Sequence, residues 1–480
     1  MGLPPRLPAA PDYAAHVTAD GRSTTTPRAE LVPAVIKAYD VRGLVGVQID
    51  EAFVHDVGAS FARLVRPDAT RVVIGHDMRD SSPSLSAAFA DGVVSQGVDV
   101  VLIGLASTDQ LYFASGRLDC PGAVFTASHN PATYNGIKLC RAGAKPVGQD
   151  SGLATISAEV VDGIPDFIGP PGTITELDVL GDYADFLRGL VDLSGLRPLT
   201  VAVDAGNGMG GYTVPEVLGP LPLTVRPLYF TLDGSFPNHE ANPLDPKNLV
   251  DLQELVRSAD GAVDIGLAFD GDADRCFVVD ERGDAVPPSA VTALVAAREL
   301  GKHPGASIIH NLITSHTVPE LVAELGGTPI RTRVGHSFIK AEMATTGAVF
   351  GGEHSAHYYF RDFWGADSGM LAALHVLAAL GEQDRPLSEL MARYSRYAAS
   401  GEINSTVADA VGRTDAVRAA FAARATSVDT LDGLTVELGG GAWFNLRSSN
   451  TEPLLRLNVE ATDDAAVAAL VDEVLAVVLA

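Results

Sequence analysis

Five short segments gather side chains that can handle phosphate, metal and proton. Thr126-Ala-Ser-His-Asn-Pro131 sets a hydroxyl beside an imidazole, and Lys138 follows ten residues after the serine. Ser128 is a candidate nucleophile, with His129 and Lys138 as proton handlers, although Ser, Asn and Pro in this order also make an ordinary capped turn. Asp270-Gly-Asp-Ala-Asp-Arg275 places carboxylates at every second position. In a tight loop Asp270, Asp272 and Asp274 can converge on one hard cation, and three carboxylates plus a phosphate oxygen suit Mg²⁺. An EF-hand is excluded, because Arg275 stands where that loop requires Gly and the following CFVVD reads as a strand.

Gly352-Glu-His-Ser-Ala-His357 alternates a carboxylate, a hydroxyl and an imidazole at Glu353, Ser355 and His357. In extended backbone these share one side, a set suited to sugar hydroxyls, or simply a polar loop. Arg447-Ser-Ser-Asn-Thr-Glu-Pro453, with Arg456 beyond, offers a guanidinium beside hydroxyl and backbone donors, as a phosphate site or an exposed turn would. Gly206-Asn-Gly208-Met-Gly-Gly211 satisfies GxGxxG after a strand, with Asp233 further on. That is the fingerprint of a dinucleotide site and opens a second reading, an NAD-dependent oxidoreductase; a glycine turn used for packing is the alternative.

The elements that must position these groups alternate. β-rich runs at 71–77, 122–128, 199–205, 223–230, 265–270, 306–311, 328–333 and 347–353 are separated by segments with helical spacing, which predicts α/β layers. Three successive units of similar size suggest an internal repeat. The last unit differs, with a helix expected at Asp415–Ala425, short strands around WFNLRSS and LLRLNVEA, and a helix from Asp463 to Leu479. The predicted fold class is therefore α/β, with largely parallel sheets: three related α/β domains plus a smaller C-terminal α+β domain. Turn-rich stretches divide the chain into a mobile tail over 1–30 and domains over 31–168, 169–302, 303–397 and 398–480.

The chain has 480 residues, 46% hydrophobic and 20% charged, with 34 Lys plus Arg against 60 Asp plus Glu for a net charge of −26. Such acidity argues against nucleic-acid binding, while leaving room for a local basic cluster that takes small phosphorylated molecules. Three cysteines make no disulfide framework or CxxC metal site and favour a reducing cytoplasm. The N-terminus lacks the apolar core of a secretory signal, and no apolar run has membrane-spanning length.

Taken together and in this order, the loops TASHNP, DGDADR, GEHSAH and RSSNTEP resemble the α-D-phosphohexomutase family, in its bacterial phosphomannomutase/phosphoglucomutase branch. AYDVRG (38–43), NGIKL (135–139), FPNHEANP (236–243) and VGHSFIK (334–340) support the resemblance, which spans residues 36 to 460. It departs at Lys37, where relatives often carry Arg, and at His354 and Ala356, where many read GEMSGH; IIHNLITSH also lacks a lysine that some relatives place there. The resemblance implies three related α/β domains with mixed sheets plus a smaller C-terminal α+β domain around a central cleft. It implies interconversion of hexose 6-phosphate and 1-phosphate, mannose first and glucose or glucosamine as alternatives, through phosphorylated Ser128 and a hexose 1,6-bisphosphate. It implies Mg²⁺ on Ser128, Asp270, Asp272 and Asp274. It implies a catalytic set of Ser128, His129, Lys138 and Arg42, and Arg275, His336, Glu353, Ser355 and His357 on the sugar phosphate. Arg447, Ser449, Asn450 and Thr451 would hold the phosphate that is not reacting. Partners would be hexose phosphates, with no nucleic acid and no membrane. A nonenzymatic sugar-phosphate sensor would keep the binding loops but would not need Ser128, Lys138 and all three aspartates.

Overall fold

The structure, a computed structural model, describes residues 27–448 and 454–480. The chain builds four sheets. The first orders its strands Val41–Leu44, Tyr134–Arg141, Gly122–Phe125, Arg71–His76, Asp99–Leu105 and Ile174–Glu176, with Lys145–Pro146 paired off the path. The second runs Ala285–Val286, Cys276–Val279, Ile265–Phe269, Leu199–Asp204, Leu223–Leu228, and the third Thr328–Thr332, Ser307–Asn311, Phe350–Gly352, Tyr358–Phe360, Ala366–Asp367. The expected repeat is visible in how these pair. In each sheet a central strand has parallel neighbours on both sides, and one of those neighbours turns back into an antiparallel strand.

That turn is where the chemistry-bearing loops lie. Residues 126–133 join Gly122–Phe125 to Tyr134–Arg141, residues 270–275 join Ile265–Phe269 to Cys276–Val279, and residues 353–357 join Phe350–Gly352 to Tyr358–Phe360. Each loop reverses tightly by driving one non-glycine residue into the left-handed region: Ser128 at φ 49°, Ala273 at φ 58° and Ala356 at φ 65°. The fourth sheet, Ala398–Thr406, Leu454–Ala461, Ala442–Ser448, Leu434–Gly439, Ser427–Asp429, is antiparallel throughout and carries two helices, Ala410–Phe421 and Asp464–Val478.

One core runs through the three α/β units. Its axis is the helix Gly369–Gly381, which is apolar on nearly every side and buried along almost its whole length. A helix with no polar stripe is stable in water only when enclosed, and neighbouring units enclose this one. A second core fills the other face of the first sheet, and the fourth domain has its own.

Several expected limits shift. A tail to residue 30 is too long, because Arg28 already opens the helix Arg28–Val35; residues 1–26 lie outside the described set. The break at 168/169 falls before Ile174–Glu176, which pairs with Asp99–Leu105 and so extends the first sheet. The break at 302/303 cuts after Pro288–Lys302, although that helix packs on Thr317–Glu324 and on the strand Phe350–Gly352 of the third unit. The helix expected from Asp415 starts at Ala410, because the Asp409 side chain accepts from the Gly412 amide and caps it there.

Candidate active site

Ser128 and the three aspartates come from different sheets and meet because their loops meet. The Ser128 hydroxyl donates to Asp270 Oδ2 at 2.9 Å, and its Oγ lies 3.2 Å from His129 Nδ1. The approach depends on Gly271, where a Cβ would stand 2.4 Å from the Ser128 carbonyl oxygen. Arg275 clasps Asp270 through its backbone amide at 3.2 Å and its Nε at 2.9 Å. From the first unit, Thr108 at the start of the helix Thr108–Leu118 ties down the same loop. Its Oγ1 donates to Asp272 Oδ2 at 2.6 Å and its amide to the Asp272 carbonyl at 3.1 Å.

Lys138, on the strand after the serine loop, bridges Asp272 and Asp274, with its Nζ 2.6 Å from an Oδ2 of each. Burial alone would push the Lys138 ammonium down, but these two carboxylates outweigh it and hold the group well above the ordinary lysine range. Burial raises the Asp272 carboxyl too, yet Lys138 and Thr108 hold it below the carboxylate range. The His129 imidazole is driven well below its ordinary value by burial, with the positive charges of Arg275 and Arg42 adding to the effect. Arg42 donates to the Ala127 carbonyl at 3.1 Å and to Asn130 Oδ1 at 2.5 Å, bracing the serine loop from the strand Val41–Leu44.

The residues present fit a cation. Ligand atoms of Asp270, Asp272 and Asp274 lie within 4.8 Å of one another, all buried. The second oxygens of Asp272 and Asp274 are buried without a hydrogen-bond partner, a costly state for a carboxylate unless a positive charge faces it.

The third unit adds His357, whose backbone bridges that of Arg275, so the loops 353–357 and 270–275 are joined. His357 Nδ1 meets Ser355 Oγ at 3.1 Å, which leaves Nε2 toward Asp274 at 3.7 Å and Asp367 at 4.0 Å. Arg42, Ser128, His129, Lys138, Arg275 and His357 all line one cavity of about 190 Å³. Several lining residues escaped the sequence reading as site residues, Asp367 and Tyr112 among them. Asp367 pairs at 2.7 Å with the buried Lys340, whose ammonium sits 4.1 Å over the Tyr112 ring, and Tyr112 lines the cavity as well. A charged Lys ten residues before the strand Phe350–Gly352 and an Asp fourteen beyond Glu353 carry no local signature; only the packing of the helix His336–Thr346 against the sheet brings them together.

Glu353 is buried at the edge of this space. Its carboxylate accepts from Tyr359 at 2.8 Å, from the Gly335 amide at 3.2 Å and from Asn311 at 3.3 Å, so a sugar hydroxyl would join an already crowded acceptor. His336 opens the helix His336–Thr346, and its side chain is outside the described set, as are Ser449, Asn450 and Thr451. Arg447 is described. It lies opposite Arg456 across an antiparallel pair, and both reach Glu402, at 2.9 Å and 3.6 Å.

The glycine loop is taken up by protein. The Met209 amide donates to the Gly271 carbonyl at 2.9 Å, and a Cβ on Gly208 or Gly211 would stand 2.7 Å from Gly271 O or 2.2 Å from Phe230 O. The glycines serve close backbone packing beneath the metal loop.

Comparison with known proteins then settles the family. Residues 34–162, 181–283 and 287–397 match the models of phosphoglucomutase/phosphomannomutase alpha/beta/alpha domains I, II and III, and residues 402–477 match the C-terminal domain. The chain belongs to the phosphoglucomutase/phosphomannomutase family. A phosphomannomutase of Escherichia coli is 39% identical over 452 residues, covering 92% of this chain and 98% of that protein. A protein named phosphohexose mutases from Xanthomonas campestris pv. campestris is 39% identical, covering 90% and 95%. The crystal structure of a phosphoglucomutase/phosphomannomutase family protein from Burkholderia thailandensis superposes with a TM-score of 0.84 at 33% identity, covering 92% and 96%. A phosphoglucomutase/phosphomannomutase family member is an enzyme of the phosphohexomutase type, and among the described residues no helix is long and apolar enough to cross a membrane.

Proposed function

We propose that this phosphohexomutase interconverts mannose 6-phosphate and mannose 1-phosphate, with Ser128 as the phosphoryl carrier, in the cytoplasm. The observation that carries the reading is the contact of the Ser128 hydroxyl with Asp270 inside a buried carboxylate cluster, at the mouth of a cavity lined by Arg42, Lys138 and His357. Proteins named phosphomannomutase at 37–40% identity support mannose.

In the first half-reaction a substrate hydroxyl attacks the phosphorus of phosphoserine 128. The new bond to the sugar oxygen forms as the bond to Ser128 Oγ breaks, and the hydroxyl proton passes to a base in the cavity. Ser128 leaves as an alkoxide and takes up the proton that the cavity base received, and the neutral His129 Nδ1, 3.2 Å from its Oγ, is within reach to accept the serine proton when the phosphoryl group returns. Asp270, Asp272 and Asp274 would hold a divalent ion, Mg²⁺ by the all-oxygen donor set, which when bound supplies charge neutralisation at the transferring phosphoryl group. Lys138 and Arg275 orient the aspartates, and Arg42 with the loop backbone excludes water from the serine. The bisphosphate then turns over and returns its other phosphate to Ser128. Turning over requires one pocket that accepts whichever phosphate is idle. Arg447 would supply that pocket on a domain with its own core, together with Ser449, Asn450 and Thr451, which lie outside the described residues, while Glu353 and Ser355 would hold the hydroxyls common to both orientations.

Turnover measured in parallel on mannose, glucose and glucosamine phosphates tests this. Mannose phosphate is expected to give the highest specificity constant with glucose phosphate also converted, because no residue of this set is dedicated to C2 and such a site discriminates by only about 10–200-fold. Exclusive use of glucose or glucosamine phosphate would overturn the mannose assignment.

A further inference from the structure

Arg79 lies outside every motif that points to the chemistry, yet it is buried beneath the serine loop at 1% exposure. A guanidinium carries five N–H donors in a fixed fork. All of them are used. Nε donates to Asp77 at 3.2 Å, Nη1 to the carbonyls of Pro131 at 2.9 Å and Tyr134 at 3.0 Å, and Nη2 to the carbonyls of Ser128 at 3.0 Å and Asn130 at 2.7 Å. The fork itself is aimed by Asp77, whose Oδ1 accepts from the Arg79 amide at 3.0 Å and from Ser82 at 2.6 Å.

We propose that Arg79 is the positioning residue of the phosphoryl-transfer centre, fixing the peptide plane of Ser128 so that the left-handed serine aims its Oγ at Asp270. The proposal rests on Ser128 being the phosphoryl carrier. A left-handed conformation costs a non-glycine residue roughly 1–2 kcal/mol and persists only where its surroundings hold it. The Ser128 carbonyl is the lever. Arg79 binds it from one side and Gly271 packs against it from the other, where there is no room for a side chain. Rotating that carbonyl swings the Cα–Cβ bond and carries Oγ away from Asp270.

The second domain covers this fork. Phe236 stacks on the Arg79 guanidinium at 5.0 Å, and Gly234 lies so close that a Cβ would stand 2.6 Å from the Arg79 Cα. The loop bearing Phe236 is held in turn by the glycine turn. The Asp233 amide donates to the Asn207 carbonyl at 3.0 Å, Asn238 donates to Asn207 Oδ1 at 2.8 Å, and His239 pairs with Asp204 at 3.0 Å. The segments GNGMGG and FPNHEANP thus gain a shared purpose: they build the lid that desolvates the fork.

The test compares full-length wild type, Arg79→Lys and Phe236→Leu. Melting temperature, phosphate on Ser128 by intact mass, and kcat and KM for mannose 1-phosphate, normalised to phosphorylated enzyme, are measured for each. Lysine keeps the charge but has too few donors for the carbonyls. A displacement of about 1 Å at a reacting centre can lower kcat by about 10²-fold, and that loss is expected in Arg79→Lys with KM nearly unchanged. Phe236→Leu, at a half-buried position, is expected to show a smaller loss of the same kind. A merely structural role would lower the melting temperature but leave the normalised kcat alone, and that result in both folded variants overturns the proposal. If Arg79→Lys does not fold, Phe236→Leu decides by the same criterion. A wild type lacking turnover and phosphate on Ser128 would instead defeat the mutase reading itself.

Discussion

Ser128 contributes little packing, since it is a small side chain at the end of a strand whose hydroxyl meets, among the described residues, Asp270 and His129. Ser128→Ala is therefore expected to keep its melting temperature while losing nearly all mutase turnover, because no other group can store the phosphoryl between half-reactions. Near-normal turnover would remove Ser128 from its assigned role. Ala356 offers the opposite experiment. At φ 65° it bears a left-handed strain of roughly 1–2 kcal/mol, while glycine costs roughly 0.5–1 kcal/mol more conformational entropy on folding. Ala356 is also fully buried in the shared core, so glycine gives up about 0.8 kcal/mol of apolar burial; the opposing terms nearly cancel, and Ala356→Gly should leave the urea midpoint nearly unchanged at unchanged slope. Glu353 is held by three donors, and the hydroxyls it would touch are shared by the two sugars. Glu353→Gln is expected to lower kcat/KM for mannose and glucose phosphates by similar factors; a loss confined to one sugar would mean that this loop reads C2.

Where the third and fourth domains meet, His316 just before the helix Thr317–Glu324 is stacked on Trp443 at 5.0 Å, with Nε2 3.3 Å from Glu437. Its amide and the Trp443 indole both donate to Glu460, at 2.9 Å and 2.8 Å. Burial lowers the His316 imidazole, but Glu437, Glu460 and Glu320 outweigh it and raise it above its ordinary value. The nearby His310 is pushed by burial down to about 4 and stays neutral. A group raised on folding contributes stability that is complete below its unfolded value, near 6.5, and is lost as pH rises through the folded value. The melting-temperature gap between wild type and His316→Gln should be widest below about pH 6.5 and shrink as the pH rises above it. A gap that widens with pH would contradict this assignment of charge.

On the scale of the whole molecule, the site exists only because the first three domains close on one another. Thr108 and Lys138 come from the first, the aspartates from the second, and His357 from the third. Asp272→Asn removes one charge from the cluster that would hold the cation. Charge neutralisation acts on the transition state more than on bound substrate, so the variant should lose transfer rate by several orders of magnitude and bind Mg²⁺ more weakly by calorimetry, while keeping affinity for the sugar phosphate. Full turnover in excess EDTA would refute a metal requirement. The fourth domain is tied to the third through Arg331 with Asp429 and through His316 with Glu437. These half-exposed pairs are each worth little, so they would add little resistance to a movement of the fourth domain.

The loops were legible in the sequence because their chemistry is local. A run such as DGDADR concentrates like charges so densely that only a cation or a nearby Lys justifies burying them, and alternating strand and helix periodicity reports the layers without any knowledge of contacts. Pairing across distance was not legible. Arg79, Lys340 and Asp367 each look like a lone charged residue, and their meaning comes from Ser128 and His357, which lie 49 and 10 or more residues away. The extra strand at 174–176 and the early start of the third unit at Pro288 followed the same rule, since sheet edges and helix packing are decided by which partner buries them. The purpose of the glycine turn was ambiguous for that reason as well. Glycines permit a close approach, and only the tertiary structure decides whether a dinucleotide or, as here, the protein's own backbone fills the space.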